Sequence, residues 1–150
     1  MLYWIFDLDY TLYNSNKNIP FSYNILKKND SYLSILLSFL PGKNIIYTNS
    51  NNSHCNLCLD IINIKNNFSN IITRDNNYMK PDIRSYINFL KINNINTSDR
   101  CVFFEDTEMN LMIAKLFGWT TVFIGKNNNK HYIDYSFDTI YEALEFFIKG

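Results

Sequence analysis

The sequence predicts an α/β fold: a central parallel sheet of about five strands with helices on both faces. Three observations carry this. Short continuous apolar runs (Leu2–Phe6, Ile45–Tyr47 and Cys101–Phe104) read as buried strands, and Trp119–Ile124 reads as a further one. Between them lie segments whose apolar residues recur at helical spacing, so strand and helix alternate along the chain. The runs also end in polar residues, and the carboxyl ends of such strands open into the crevice where α/β proteins bind ligands.

The bulk composition is consistent with one domain. A chain of 150 residues, 47% hydrophobic and 19% charged, is long and apolar enough to bury a core. A formal net charge of zero with scattered Lys and Arg gives no electrostatic footprint for nucleic acid, although a nucleic-acid end stays open as a substrate. No basic residue precedes the first apolar run, so the N-terminus does not read as a secretory signal. The longest other apolar stretch, around Ser34–Leu40, is too short to cross a bilayer. Three cysteines fit a reducing cytosol without disulfides, and the expected location is cytoplasmic.

In chain order, the first strand runs into Asp7, with Asp9 and Thr11 following at spacings of two. Tyr13–Lys28 is polar and Asn-rich, and Pro20 breaks any regular element. From Asp30 the pattern is helical, with Tyr32, Leu33, Leu36, Leu37 and Leu40 in register; Asp30 or Ser31 caps it and Pro41-Gly42 ends it. Lys43–Asn49 is the second strand. Ser50–Ser53 supplies caps for a helix near His54–Ile64, and Phe68–Thr73 is a short third strand. Arg74–Met79 is a loop into Lys80-Pro81, and Asp82–Asn93 is a helix with Ile83, Tyr86, Ile87 and Leu90 on its apolar face. Cys101–Phe104 is the fourth strand, ending in Glu105-Asp106. Thr107 caps a helix through Phe117 that Gly118 terminates. After the fifth strand, Trp119–Ile124, comes a loop over Lys126–Tyr132 that includes the run Asn127–Asn129. A last helix covers Ile140–Lys149.

Asp7 and Asp9 at one strand end are costly to desolvate unless something positive sits between them. That points to a divalent metal and a phosphate. Asp7 is the candidate nucleophile, giving an aspartyl-phosphate, and Asp9 the acid that protonates the leaving oxygen and then the base that deprotonates water. Thr48 can hydrogen-bond a phosphoryl oxygen, Asn49 can orient its neighbours, and Lys80 can neutralise phosphate and nucleophile as a point charge. Glu105 and Asp106, with Asp7 and Asp9, are the candidate hard-oxygen ligands of Mg²⁺.

With Asp7-Leu-Asp9-Tyr-Thr11, Tyr47-Thr48-Asn49, Lys80-Pro81-Asp82 and Glu105-Asp106-Thr107 with Asn110 in this order, residues 2–125 resemble the haloacid dehalogenase (HAD) superfamily of phosphohydrolases. The resemblance implies a three-layer Rossmann-like sandwich with the first and fourth strands adjacent at its centre. It also implies a Mg²⁺-dependent phosphatase, because dehalogenases of this family lack the second Asp. Phe6–Tyr13, Thr48–Asn49, Lys80–Pro81 and Phe104–Ile124 look most like the pyrimidine 5′-nucleotidase-like subgroup. Two departures stand out. Glu105 takes a place where many members have Asp. The helical cap of that subgroup has no counterpart beyond a short flap at about 13–29, so the nucleotidase substrate does not carry over. An uncovered site suits a macromolecular substrate such as a phosphoprotein or nucleic-acid end. The alternative is a small metabolite covered by the second subunit of a homodimer.

Other readings of these residues are weaker. A calcium loop fails because Leu12 stands where Gly is required and Asn18 where the bidentate Glu belongs. His54, Cys55 and Cys58 lack a second pair of ligands, so both cysteines are expected to be buried thiols. Cys101 is read as core and His131 as a solvated residue. Tyr13, Phe21 and Tyr23 either touch substrate or pack the flap. A protein that keeps this fold as a silent binding or regulatory module is the alternative function. A phosphomutase is disfavoured, since such enzymes use a cap to exclude water.

Overall fold

The first strand, β1 (Leu2–Phe6), lies at the centre of the sheet and alternates its side chains between two cores. In this computed structural model, which describes residues 1–13, 16–126 and 128–150, it is flanked by β2 (Lys43–Tyr47) and β4 (Arg100–Glu105). With β3 (Asn70–Ile72), β5 (Thr120–Ile124) and β6 (Tyr135–Phe137), the order is β3-β2-β1-β4-β5-β6, and every pair is parallel. The helices are α1 (Ser31–Ser38), α2 (Asn52–Ile62), α3 (Ile83–Ile92), α4 (Glu108–Leu116) and α5 (Ile140–Lys149).

Because strand side chains alternate, Trp4, Phe6, Ile46 and Phe104 enter one core with α1, α2 and α5. Tyr3, Ile5, Tyr47 and Phe103 enter the other with α3 and α4. The result is a three-layer, Rossmann-like α/β sandwich. On the first face Phe6 and Phe104 stack at 4.6 Å between centroids. On the second, Trp119 sits against Tyr47, Tyr86, Phe89 and Phe103. Truncating Trp119 removes the hub of this aromatic group, and Trp119→Ala is expected to cost about 3–5 kcal/mol. Urea unfolding measures it; a loss below about 1 kcal/mol would mean the cavity collapses freely.

The helix starts follow the sequence. Asp30 accepts from the Leu33 amide at 3.1 Å, and Asn51 from the His54 amide at 2.8 Å, each cap being worth about 1 kcal/mol. The turn at Gly42 has φ +87°, and a Cβ there would lie 2.1 Å from the Leu2 carbonyl oxygen, so only glycine fits.

Three details differ from the sequence expectation. A sixth strand, Tyr135–Phe137, extends the sheet at its edge. The third strand spans only Asn70–Ile72. On α3 the buried face is Ser85, Tyr86 and Phe89, whereas Ile83 and Ile87 are 49% and 42% exposed. That helix is turned so that the Tyr86 hydroxyl can donate to the Asn110 carbonyl at 2.7 Å, which apolar spacing alone does not register. Among the described residues between β1 and α1 there is one 3-10 turn, Tyr23–Ile25, and no α-helix. Of the expected flap at 13–29, Asn14 and Ser15 lie outside the described residues, as does Asn127 of the expected 126–132 loop. Among the described residues no helix is long and apolar enough to cross a membrane.

Candidate active site

Parallel register brings the strand ends level. Phe6 pairs with Ile46 on one side and Phe104 on the other, so Asp7 emerges level with Tyr47 and Glu105, one residue short of Thr48. The Asp7 amide still donates to the Phe104 carbonyl at 3.0 Å, fixing the nucleophile candidate to the sheet. A cavity of about 300 Å³ opens there, lined by Asp7, Asp9, Thr48, Asn49, Glu105 and Asp106 among others.

Lys80 reaches this end from the loop after β3. Its main chain is clamped by Asn49, whose Oδ1 accepts from the Lys80 amide at 2.8 Å and whose Nδ2 donates to its carbonyl at 3.0 Å. Its side chain is fully buried. Nζ donates to Asp7 Oδ1 at 3.2 Å, Glu105 Oε2 at 2.9 Å and the Tyr47 carbonyl at 2.7 Å. The ammonium also lies 4.7 Å from the centroid of the Tyr47 ring.

Three buried carboxylates, Asp7, Glu105 and Asp106, present oxygens within 4.8 Å of one another. Glu105 is already committed: Oε1 accepts from the amides of Asp106 and Thr107, and Oε2 from Lys80 and Asn110. These bonds fix the turn that leads into α4, at whose start the Thr107 side chain makes no capping bond. Asp7 and Asp106 are joined by the Thr11 hydroxyl, 3.1 and 3.2 Å from their oxygens. Lys17, from the segment after β1, pairs with Asp106 at 2.9 Å.

The electrostatics follow from burial. Desolvation, reinforced by Glu105, pushes Asp7 well above the usual carboxylate range, although Lys80 pulls it back. Burial raises Glu105 as well. Burial would also raise Asp106, but hydrogen bonding within the cluster and Lys17 hold it below its ordinary value. Lys80 would be lowered by burial, yet Asp7 and Glu105 more than reverse this and keep it charged. The cluster is thus short of positive charge. A divalent cation on the oxygens of Asp7 and Asp106 would supply it, and an all-carboxylate donor set is what a hard cation such as Mg²⁺ takes. The residues fit that ion.

Asp9 is placed differently from the sequence expectation. It lines the same cavity, but its carboxylate is not among the clustered three. Asp9 Oδ1 accepts from the Tyr13 hydroxyl at 2.6 Å and lies 2.7 Å from His54 Nε2. Thr48 is buried at the cavity wall, its hydroxyl oxygen accepting from the Ser50 amide at 3.1 Å. Cys55, Cys58 and Cys101 are buried free thiols, and burial pushes each up to about 12. His131 is exposed.

Sequence reasoning passed over two residues, Lys17 and His54 as the partner of Asp9. Lys17 lies in an Asn-rich stretch and carries no periodic signal. His54 was visible only as one member of an incomplete Cys/His set.

No protein-family model matches the chain, and no curated protein matches it in sequence. Solved structures do. An L-2-haloacid dehalogenase from Xanthobacter autotrophicus superposes with a TM-score of 0.71 at 11% identity over 97% of both chains. A HAD-hydrolase from Bacillus subtilis, described as bound to magnesium, gives 0.72 at 13% identity over 96% of this chain and 97% of the other. A HAD phosphatase from Thermococcus onnurineus gives 0.62 at 23% identity, covering 75% of this chain and 55% of that one. These neighbours are HAD-superfamily hydrolases, and at such identities the likeness is one of fold.

Proposed function

We propose, taking the fold of the HAD hydrolases as the premise, that the protein is a Mg²⁺-dependent phosphatase that cleaves a phosphate monoester through Asp7. The observation that carries this is the buried Lys80 ammonium 3.2 Å from Asp7 Oδ1 at the central strand end, with Asp106 and Thr48 on the same cavity. A lysine here keeps a buried carboxylate anionic and offers charge to the oxygens of a phosphate. We read the chain as one domain, with the segment at 13–29 as a short flap.

In this reading an ionised Asp7 oxygen attacks phosphorus. The bond from phosphorus to the ester oxygen breaks, and that oxygen leaves with a proton from Asp9. Asp9, now a carboxylate, takes a proton from water, whose oxygen attacks phosphorus. The aspartyl bond breaks, releasing inorganic phosphate and restoring Asp7. Thr48 donates its hydroxyl to a phosphoryl oxygen, Lys80 offsets the charge, and Asn49 holds Lys80 in place. When bound on Asp7 and Asp106, Mg²⁺ supplies positive charge that lowers the repulsion between carboxylate and phosphate dianion.

Asp9 favours a phosphatase over a dehalogenase, because halide release needs no protonated leaving group. The stretch after Thr11 contains one 3-10 turn and no α-helix among its described residues, which suits a substrate larger than a metabolite, such as a phosphoprotein or nucleic-acid end. The test is a hydrolysis screen with Mg²⁺ over p-nitrophenyl phosphate, nucleotides, sugar phosphates, phosphopeptides and 3′- or 5′-phosphorylated oligonucleotides. Turnover that disappears with EDTA and returns with Mg²⁺ is expected. Silence across the panel would favour a non-catalytic binding protein.

A further inference from the structure

We propose that Asp9, His54 and Cys58 form a second metal site, selective for a borderline cation such as Zn²⁺ and separate from the all-carboxylate cluster. His54 and Cys58 are four apart on α2 and so share a face of the helix. His54 Nε2 lies 2.7 Å from Asp9 Oδ1 and 3.5 Å from Cys58 Sγ, and all three donor atoms fall within 4.8 Å of one another. Two ligands of a tetrahedral zinc, at about 2.0–2.3 Å from the ion, stand roughly 3.3–3.8 Å apart. The nitrogen and sulfur are already at that separation, and the Asp9 oxygen stands about half an ångström closer to the nitrogen than the ion would place it.

The donor chemistry sets the preference. Carboxylate, imidazole and thiolate together suit Zn²⁺, whereas the oxygen-only cluster around Asp7 suits Mg²⁺. The remaining imidazole nitrogen is also held: the Tyr23 hydroxyl lies 2.9 Å from His54 Nδ1. A hydroxyl either donates or accepts, so its oxygen can accept from Nδ1–H and leave the Nε2 lone pair for a metal. Asp9 and His54 line a cavity of about 390 Å³ together with Phe21 and Arg74, through which an ion and a water in its fourth position can enter. Cys58 closes the site from the buried side. On entry the ion bonds to Sγ, and the thiol proton passes to solvent.

Resting on the phosphatase reading, this site has a regulatory consequence. An ion there holds the carboxylate of Asp9, the acid and base of the proposed reaction, and so blocks turnover by Zn²⁺ while Mg²⁺ supports it.

The experiment titrates Co²⁺, as a spectroscopic stand-in for Zn²⁺, into the full chain with excess Mg²⁺ occupying the acidic cluster. One equivalent is expected to give a thiolate-to-cobalt charge-transfer band and tetrahedral d–d absorption that Zn²⁺ abolishes. Cys58→Ala should remove the band and weaken Zn²⁺ binding by at least about tenfold, with Cys55→Ala and Cys101→Ala retaining it. If Cys58→Ala does not fold by circular dichroism, His54→Gln, at a partly exposed position, should weaken binding equally. No sulfur band, or one that survives Cys58→Ala, overturns the site. The inhibition constant for Zn²⁺ against p-nitrophenyl phosphate, with each variant normalised to its zinc-free rate, should rise at least about tenfold in Cys58→Ala. An unchanged constant overturns the regulatory consequence. A cobalt band in a protein without turnover upholds the site and sinks the phosphatase reading; turnover without the band does the reverse.

Discussion

Asp7→Asn is expected to lower kcat for a generic phosphate ester by about 10⁴-fold or more while leaving the protein folded, the scale of loss seen when a nucleophile that acts as part of a unit is removed. The amide keeps the shape of the carboxylate and one acceptor for Lys80, its NH2 facing the Thr11 hydroxyl, but presents no nucleophilic oxygen anion. It also removes a negative charge from a cluster that has too many. Desolvation and Glu105 hold Asp7 well up, so an uncharged side chain is favoured at this buried position. The variant should therefore be at least as stable as the parent in the absence of metal. Stopped turnover with an undiminished urea midpoint is the expected pair of results. A fully active variant would remove Asp7 from the chemistry.

The second large effect concerns Lys80. Lys80→Met leaves Asp7 and Glu105 buried without their shared cation, and breaking a buried pair in this way costs about 3–5 kcal/mol. Without the lysine that lowers both carboxyls, their folded-state values rise further. A carboxyl raised in the folded state contributes stability below its unfolded value and loses it as pH rises through the folded one. The deficit of the variant should thus be largest at pH 7–8 and shrink as the solution is acidified toward the ordinary carboxylate range. Urea unfolding at both ends of that window measures it. A deficit below about 1 kcal/mol, or one independent of pH, would show that Lys80 does not neutralise the pair.

Much of this arrangement is written locally in the chain. Apolar runs of three to five residues mark β1, β2, β4 and β5. Asp7, Thr48, Asn49, Glu105 and Asp106 follow those runs, so parallel register alone gathers them at one edge. Lys80 joins through Asn49, a contact that spans 31 residues but links two polar turns at strand ends.

What escaped the sequence depends on orientation. The edge strand β6 is three residues long with Ser136 at its centre, too short and too polar to stand out. The turn of α3 is set by Tyr86 and Ser85 bonding into the core, which a count of apolar residues misses. The side chain of Asp9 is captured by His54, 45 residues on, only because α2 presents that imidazole toward the loop after β1. Lys17 pairs with Asp106 across 89 residues from a stretch that reads as solvated loop. Lys17 belongs to the segment following Thr11, where periodicity is absent, and Asp9 to the turn just before it.

The most direct test of the central claim is the covalent state of Asp7 during turnover. Enzyme mixed with Mg²⁺ and a slow phosphate ester, quenched in acid and digested, should yield the N-terminal peptide carrying one phosphoryl group on Asp7. Hydroxylamine should release that group, and Asp7→Asn should not acquire it. Turnover with the adduct on another residue, or with inversion of configuration at phosphorus and no adduct at all, would contradict the account.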